Sequence, residues 1–132
     1  MVIIERIRFH RQGYEAILSP LESSILEALW QKRKAKVREL HSILKKEKRI
    51  ALTSVAVCLD RLHKKGIVMR ETETGQGGVH YIYSPLNTRQ DFDKSIVENV
   101  VDKLIYNFGD IAVNYFNERF SKAEPKKTEE VK

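Results

Sequence analysis

A glycine-rich stretch between two strand-like runs constrains the fold more than any other part of this sequence of 132 residues. The runs cover residues 67–73 and 79–84, and the second (VHYIYS) has the alternation of a strand with one buried face. The intervening TGQGG can supply the positive φ angles that a hairpin turn requires. Pro85 ends the second run, because proline cannot donate to a sheet. The segment therefore predicts a β-hairpin.

A phosphate-binding loop is the other structure that clustered glycines suggest. Such a loop needs a strand before the glycines and a helix directly after them, because the helix N-terminus meets the phosphate groups. Here a second strand follows, and no Gly-Lys-Ser/Thr sequence comes after the glycines. The cluster is therefore interpreted as a hairpin tip, and no nucleotide cofactor is expected.

Three amphipathic helices are predicted before the hairpin. Ser19 can cap the first, Pro20 suits its first position, and Glu22 lies three residues after the cap, as in a capping box. The second helix is predicted over about residues 37–46 and the third over about residues 52–65, where a glycine stops it. Three short helices followed by a hairpin form the winged helix-turn-helix arrangement, a mainly α (α+β) fold.

A further helical region follows the hairpin. Apolar residues recur about every four positions within residues 91–120, which predicts two helices or a single bent one. The last twelve residues, SKAEPKKTEEVK, are charged and nearly free of bulky apolar groups. The predicted organisation is an N-terminal extension (1–17), a winged-helix DNA-binding domain (18–86), a helical dimerisation region (87–120) and a disordered tail (121–132).

Positive charge is concentrated in the first part of the chain. Residues 1–85 contain 16 Lys and Arg against 9 Asp and Glu, whereas residues 86–132 contain 8 against 9. Such a basic surplus is the electrostatic footprint of a nucleic-acid-binding domain. It predicts double-stranded DNA as the partner of the winged helix.

The cellular compartment is predicted from what the sequence lacks. The single cysteine cannot form an internal disulfide, and no secretory signal pattern opens the chain. No apolar run approaches the roughly 20 residues that cross a bilayer. A cytoplasmic protein without membrane contact is expected.

Catalytic or metal-binding chemistry finds no support in the sequence. The four histidines lie on four different predicted elements, and none has the spacing of a metal-ligand pair. Cys58 falls on the inward face of the third helix, where a buried small apolar role is favoured over redox sensing. Neither an enzyme nor a metal site is predicted.

The outward face of the third helix is the candidate DNA-reading surface. Thr53 and Ser54 could bond base edges or phosphate, Ala56 and Val57 could meet thymine methyl groups, and Arg61 could reach guanine or phosphate. The remaining candidates are cations that flank this helix and the tip of the hairpin, where glycines expose main-chain N–H groups. The complete predicted set is Lys36, Arg38, Lys48, Arg49, Thr53, Ser54, Ala56, Val57, Arg61, Lys64, Gln76 and Gly77.

The apolar stripe of the C-terminal region is the candidate dimer interface. Left exposed, such a stripe would be a liability, whereas pairing with a second copy covers it. The alternative is that these helices fold back on their own winged helix. The predicted interface residues are Phe92, Ile96, Val100, Leu104, Phe108, Ile111, Tyr115 and Phe116.

Several segments resemble the penicillinase-repressor family (BlaI/MecI/CopY). They are LSPLESSILEALW, VRELHSILKK, TSVAVCLDRLHKKGIVMRE and the YIYSP that follows the hairpin turn. The resemblance implies a dimeric repressor whose winged helix binds half of a palindromic operator and whose C-terminal helices interlock two subunits. The predicted function is therefore a homodimeric, sequence-specific transcriptional regulator, most simply a repressor. The alternative is a winged-helix protein–protein interaction module without an operator.

Three features depart from or qualify this resemblance. The tail contains no cysteine, unlike the cysteine-rich tail of copper-responsive members, which argues against copper sensing. Asn107-Phe108 resembles the bond that is cut in β-lactam-responsive members, although Phe108 also fits the apolar stripe. The N-terminal extension is longer than the family leads us to expect, and the sequence assigns it no role.

Overall fold

The structure is a computed structural model that describes residues 2–47 and 49–121. Lys48, a predicted DNA contact, and residues 122–132 of the predicted disordered tail lie outside the described residues. The described residues form two compact units, one ending at Ile96 and one beginning at Val97. We call them the winged-helix unit and the C-terminal unit.

The elements follow the predicted order, with one short strand added. A 3₁₀ turn, Gly13–Ala16, precedes the first helix. The helices are α1 (Pro20–Lys32), α2 (Val37–Leu44), α3 (Leu52–Lys64), α4 (Arg89–Phe108) and α5 (Asp110–Ser121), and the strands are β1 (Ala35–Lys36), β2 (Val68–Gly75) and β3 (Gly78–Pro85). The predicted bounds of the second and third helices and of the C-terminal helical region agree within two residues. Ser121, assigned to the tail, is the last residue of α5.

The predicted capping box is present at the start of α1. The Glu22 main-chain N–H donates to Ser19 Oγ at 3.1 Å, and the Ser19 main-chain N–H donates to Glu22 Oε1 at 2.9 Å. These two bonds satisfy donors that a helix start leaves without intrahelical partners. The other Glu22 carboxylate oxygen lies 3.4 Å from Lys65 Nζ, so the buried carboxylate is paired.

The α3 helix packs its apolar face into the core as the sequence predicts. Val55, Cys58, Leu59 and Leu62 are all buried. Together with apolar residues of α1, α2 and the sheet they form the hydrophobic core of the winged-helix unit. This burial leaves the opposite face of α3 at the surface.

The hairpin of β2 and β3, which we call the wing, belongs to a three-stranded antiparallel sheet in the order β1-β3-β2. The strands pair as far as Gly75 and Gly78, so the turn is Gln76-Gly77 rather than the whole TGQGG. Gly77 and Gly78 have φ of 87° and 108°, values that side chains rarely adopt. On the other side of β3, Ala35 pairs with Tyr83 and anchors the base of the wing.

The N-terminal extension packs against the winged helix. Val2 and Ile4 are buried in its core, and the Ile3 main-chain N–H donates to the Lys65 carbonyl oxygen at 2.8 Å. Farther along, the Tyr14 ring contacts the rings of Trp30 and Phe92. The extension therefore completes the core of the unit instead of forming a separate arm.

Phe92 requires a correction to the predicted dimer interface. Its ring is 1% exposed and packs on Trp30 at a centroid distance of 5.7 Å. Tyr14 donates to Asp93 at 2.6 Å, and Ile96 also packs against the core. The beginning of α4 thus belongs to the winged-helix unit, because the aromatic cluster uses the surface that the sequence pattern assigned to a second subunit.

The C-terminal unit contains the rest of α4 and α5, separated at Gly109. This glycine has φ of 57°, and its main-chain N–H donates to the Ile105 carbonyl oxygen at 2.7 Å. The two-helix form of the prediction is confirmed. Several large apolar side chains here remain exposed, among them Tyr106, Phe108, Ile111, Tyr115 and Phe120.

Arg33 holds a strained backbone conformation at the end of α1. Its φ is 79°, and it is the one described residue other than glycine with a positive φ. Glycine adopts such a positive φ with little strain because it has no Cβ to clash. We expect Arg33→Gly to raise the free energy of unfolding by about 1 kcal/mol, measured by urea denaturation.

Lys34→Gly is the matched control for Arg33→Gly. Its backbone is not in the positive-φ region, so this variant should lower the free energy of unfolding by roughly 0.5–1 kcal/mol. Equal losses in the two variants would contradict the strain assigned to Arg33.

Candidate nucleic-acid interface

A groove between α3 and the wing brings together residues from three predicted contact regions. It has a volume of about 440 Å³ and is bordered by Lys36 and Arg38 at the start of α2, by Thr53 and Ala56 on α3, and by Gln76 at the wing turn. We call it the α3–wing groove. Capping of α2 fixes its first turn, since the Lys36 main-chain N–H donates to Glu39 Oε1 at 2.7 Å.

Four further residues line the same groove and were not predicted as contacts. Val37, Leu52 and Tyr81 contribute apolar surface, and His80 contributes an imidazole. The His80 Nε2 atom lies 3.0 Å from the Gln76 carbonyl oxygen, which can only accept, so the imidazole is the donor of this hydrogen bond. His80 and Tyr81 are neighbours in β3, and strand alternation places neighbouring side chains on opposite faces, so the sequence pattern could not predict that both line the groove.

The remaining predicted contacts lie outside the groove. Ser54, Val57 and Lys64 are exposed on α3, as its outward face predicts, and Arg49 is exposed in the segment before α3. Gly77 occupies the wing turn. These residues do not line the groove. A long duplex could still reach them, and their DNA contacts remain predictions.

Arg61 lies on the flank of α3 that is turned toward α1. Its Nη1 atom is 3.9 Å from the buried Glu22 carboxylate, which also pairs with Lys65. The side chain is 52% exposed, so it can still reach a phosphate group. Its positive charge is partly balanced by Glu22, however. Arg61 also does not line the groove, as a base-reading residue would.

An ion-pair network joins α3 to the wing. Asp60 Oδ2 lies 3.1 Å from Lys64 Nζ, and Asp60 Oδ1 lies 3.1 Å from Arg70 Nη1 on β2. Hydrogen bonds from Lys64 and then from Arg70 lower the pKa of the Asp60 carboxyl. The Arg70 guanidinium also stacks on the Tyr81 ring at 4.2 Å. A negative charge at Asp60 would be unfavourable near phosphate. The ion pairs with Lys64 and Arg70 balance this charge, and the pair with Arg70 links α3 to the wing.

Two cations at the mouth of the groove differ in their charge balance. Lys36 Nζ lies 3.5 Å from Glu73 Oε1 on β2. Arg38 is exposed and forms no ion pair with any residue that the structure describes. Arg38 is thus the cation at the groove with its full charge available to an anionic ligand.

Metal-ligand clusters and membrane-spanning helices are absent from residues 2–47 and 49–121. No group of three His, Cys, Asp or Glu side chains among them could hold a metal ion. Cys58 is buried, and desolvation raises the pKa of its thiol. No helix in this part of the chain is long and apolar enough to cross a membrane.

Solved structures similar to this chain include regulators with a winged-helix fold. A possible transcriptional regulator from Methanosarcina mazei Go1 is 19% identical, and the alignment covers 76% of this chain and 78% of that one with a TM-score of 0.51. The DNA-binding domain of the repressor BlaI is 23% identical, with coverage of 56% of this chain and 85% of that one and a TM-score of 0.46. The similarity to the Methanosarcina mazei Go1 protein supports the winged-helix fold and nothing further.

The family assignment comes from the sequence. Among curated proteins, none is significantly similar to this chain. The sequence profile described as penicillinase repressor, however, matches residues 18–132, which include the winged helix, α4 and α5. The chain therefore belongs to the penicillinase repressor family and is a DNA-binding transcriptional regulator with a winged-helix fold.

Proposed function

We propose that the protein is a homodimeric repressor that binds an inverted-repeat operator. In each subunit α3 enters a major groove and the wing lies against the adjacent backbone. The observation that carries the proposal is the α3–wing groove, in which Arg38, Thr53, Ala56 and Gln76 border one concave surface. The major groove is about 12 Å wide and admits one helix with its side chains.

The residues of the groove suit both parts of DNA recognition. Thr53 can bond a base edge, and Ala56 can contact a thymine methyl group. Arg38 can bind a phosphate group and fix the register of the helix on the duplex. The uneven charge supports the same partner, because the entire surplus of Lys and Arg lies within residues 1–85.

The proposed dimer rests on the apolar surface of the C-terminal unit. Phe108 is 60% exposed, Ile111 75% and Phe120 77%. At 100° per residue the apolar side chains of α5 spread over roughly 200° of its circumference, more than one neighbouring helix covers. A second copy of the chain would bury this surface in a two-fold interface. Two linked half-site readers also gain avidity without new base contacts.

Arg38→Ala tests the proposed phosphate contact. We expect weaker binding to every duplex, and the slope of log affinity against log salt should become shallower by about 0.9 per subunit, because one fewer counterion is released. Fluorescence anisotropy with a labelled duplex at several salt concentrations measures both quantities.

Lys94→Ala is the matched control for Arg38→Ala. Lys94 is an exposed cation on α4 that does not line the α3–wing groove. Its removal should leave the salt slope unchanged. If the two variants alter the slope equally, the groove is not where the protein meets the phosphate backbone.

A further inference from the structure

A second cleft lies at the base of the wing, beyond the end of β3. It has a volume of about 660 Å³. It is lined by Trp30, Arg33 and Lys34 near the end of α1, by Pro85 at the end of β3 and by Leu86 directly after it. We call it the Trp30 cleft. This volume is in the range of small-molecule sites. None of its lining residues lines the α3–wing groove.

Apolar surface forms one part of the cleft. The Trp30 indole N–H donates to the Asn87 carbonyl oxygen at 3.0 Å, so the polar atom of this side chain already has its partner. Leu86 is 47% exposed, and Pro85 lies next to it in the chain. Arg89 lies over one face of the Trp30 ring, so Pro85 and Leu86 provide the aliphatic surface open to the ring of a ligand, beside the partly exposed Trp30 side chain.

The polar part of the cleft is positively charged. Arg89 binds both carboxylate oxygens of Glu27, at 2.7 and 3.0 Å, and its guanidinium lies 4.6 Å from the Trp30 ring centroid. Its charge is therefore balanced. Arg33 and Lys34 are exposed and form no ion pair with the residues described here, and no carboxylate is among the lining residues. Two cations without a partner thus border the apolar surface.

The backbone of Arg33 adds an independent indication. An arginine stands where φ is 79° and glycine would be less strained. Strained residues of this kind concentrate at ligand-binding positions, where the surrounding structure holds them in place. The strained backbone therefore supports a binding role for the Arg33 side chain at the rim of the cleft.

We propose that the Trp30 cleft binds a small organic anion with a planar apolar body, in the chemical class of the aromatic carboxylates. The ring packs on Pro85 and Leu86 beside Trp30, and the carboxylate pairs with Arg33 and Lys34. The apolar surface distinguishes this ligand from a DNA phosphate group, which brings charge without an apolar body. The inference does not depend on the proposed operator binding.

The test uses the full-length protein and 2-naphthoate as the probe. Trp30 is the only tryptophan in the chain, so its indole N–H gives a single resonance that reports on the cleft. We expect 2-naphthoate to shift this resonance saturably. The neutral analogue 2-naphthamide should bind about tenfold or more weakly, since it lacks the charge that Arg33 and Lys34 recognise. Inorganic phosphate at equal concentration should leave the resonance unshifted.

A double variant locates the binding site. Arg33→Gln with Lys34→Gln should weaken 2-naphthoate binding about tenfold or more. The matched control, Lys45→Gln with Lys46→Gln, removes two exposed cations after α2 and should change the affinity less than about twofold. The proposal is overturned if 2-naphthoate produces no saturable shift, if the amide or phosphate binds equally well, or if Arg33→Gln/Lys34→Gln retains the affinity of the unmodified protein.

Discussion

Ala56→Glu is expected to reduce the affinity for a specific DNA site, obtained by selection from random duplexes, at least about 100-fold. Like charges brought together at an interface cost several kcal/mol. Ala56 lines the α3–wing groove together with Lys36, Arg38 and Gln76. A glutamate here would direct a carboxylate at the bases and phosphates, and it could also pair with the two cations. Glutamate is a good helix former, so α3 should remain folded. Fluorescence anisotropy measures the affinity, and far-UV circular dichroism checks the fold.

Gln90→Glu is the control for Ala56→Glu. It adds the same charge at an exposed residue near the start of α4, outside the groove. Screening at physiological salt should limit its effect to less than about threefold. If Ala56→Glu binds DNA as well as Gln90→Glu does, the groove does not face the duplex.

Ile111→Asp is expected to raise the dissociation constant of the proposed dimer at least about 100-fold, since an unpaired carboxylate would be buried in the interface. Ile111 is 75% exposed within one chain, so the subunit itself should fold normally. Sedimentation equilibrium measures the dissociation constant. DNA affinity should fall in parallel, because each winged helix would then bind its half-site alone.

Asn117→Asp places the same charge on the polar side of α5. Asn117 is exposed and lies about 120° around the helix from Ile111. This variant should sediment like the unmodified protein. A dimer that survives Ile111→Asp, or that dissociates equally with Asn117→Asp, would contradict an interface built on the apolar side of α5.

Local patterns in the sequence were sufficient to predict most elements of the winged helix. Ser19 and Glu22 form their capping box within a single turn, and Val55 and Leu62 face inward because helical periodicity places them there. The glycines of the wing fix its turn through their backbone freedom. None of these features depends on residues far away in the chain.

Contacts between distant segments account for the features that the sequence did not reveal. Phe92 continues the four-residue period of the predicted interface, yet its packing partners are Tyr14 and Trp30, which periodicity cannot identify. The two residues of β1 are a strand only because β3 lies beside them. Arg61 shares the exposed surface of α3 but lies on the flank that meets Glu22.

The central claim is that two copies of the α3–wing groove read one inverted repeat. Selection of bound sequences from random duplex DNA, followed by footprinting of the selected site, tests it most directly. We expect an inverted repeat whose half-site centres lie about 10 base pairs, or a multiple of this, apart, with both halves protected. Recovery of no preferred sequence, or of a single undivided site protected by one subunit, would contradict the claim.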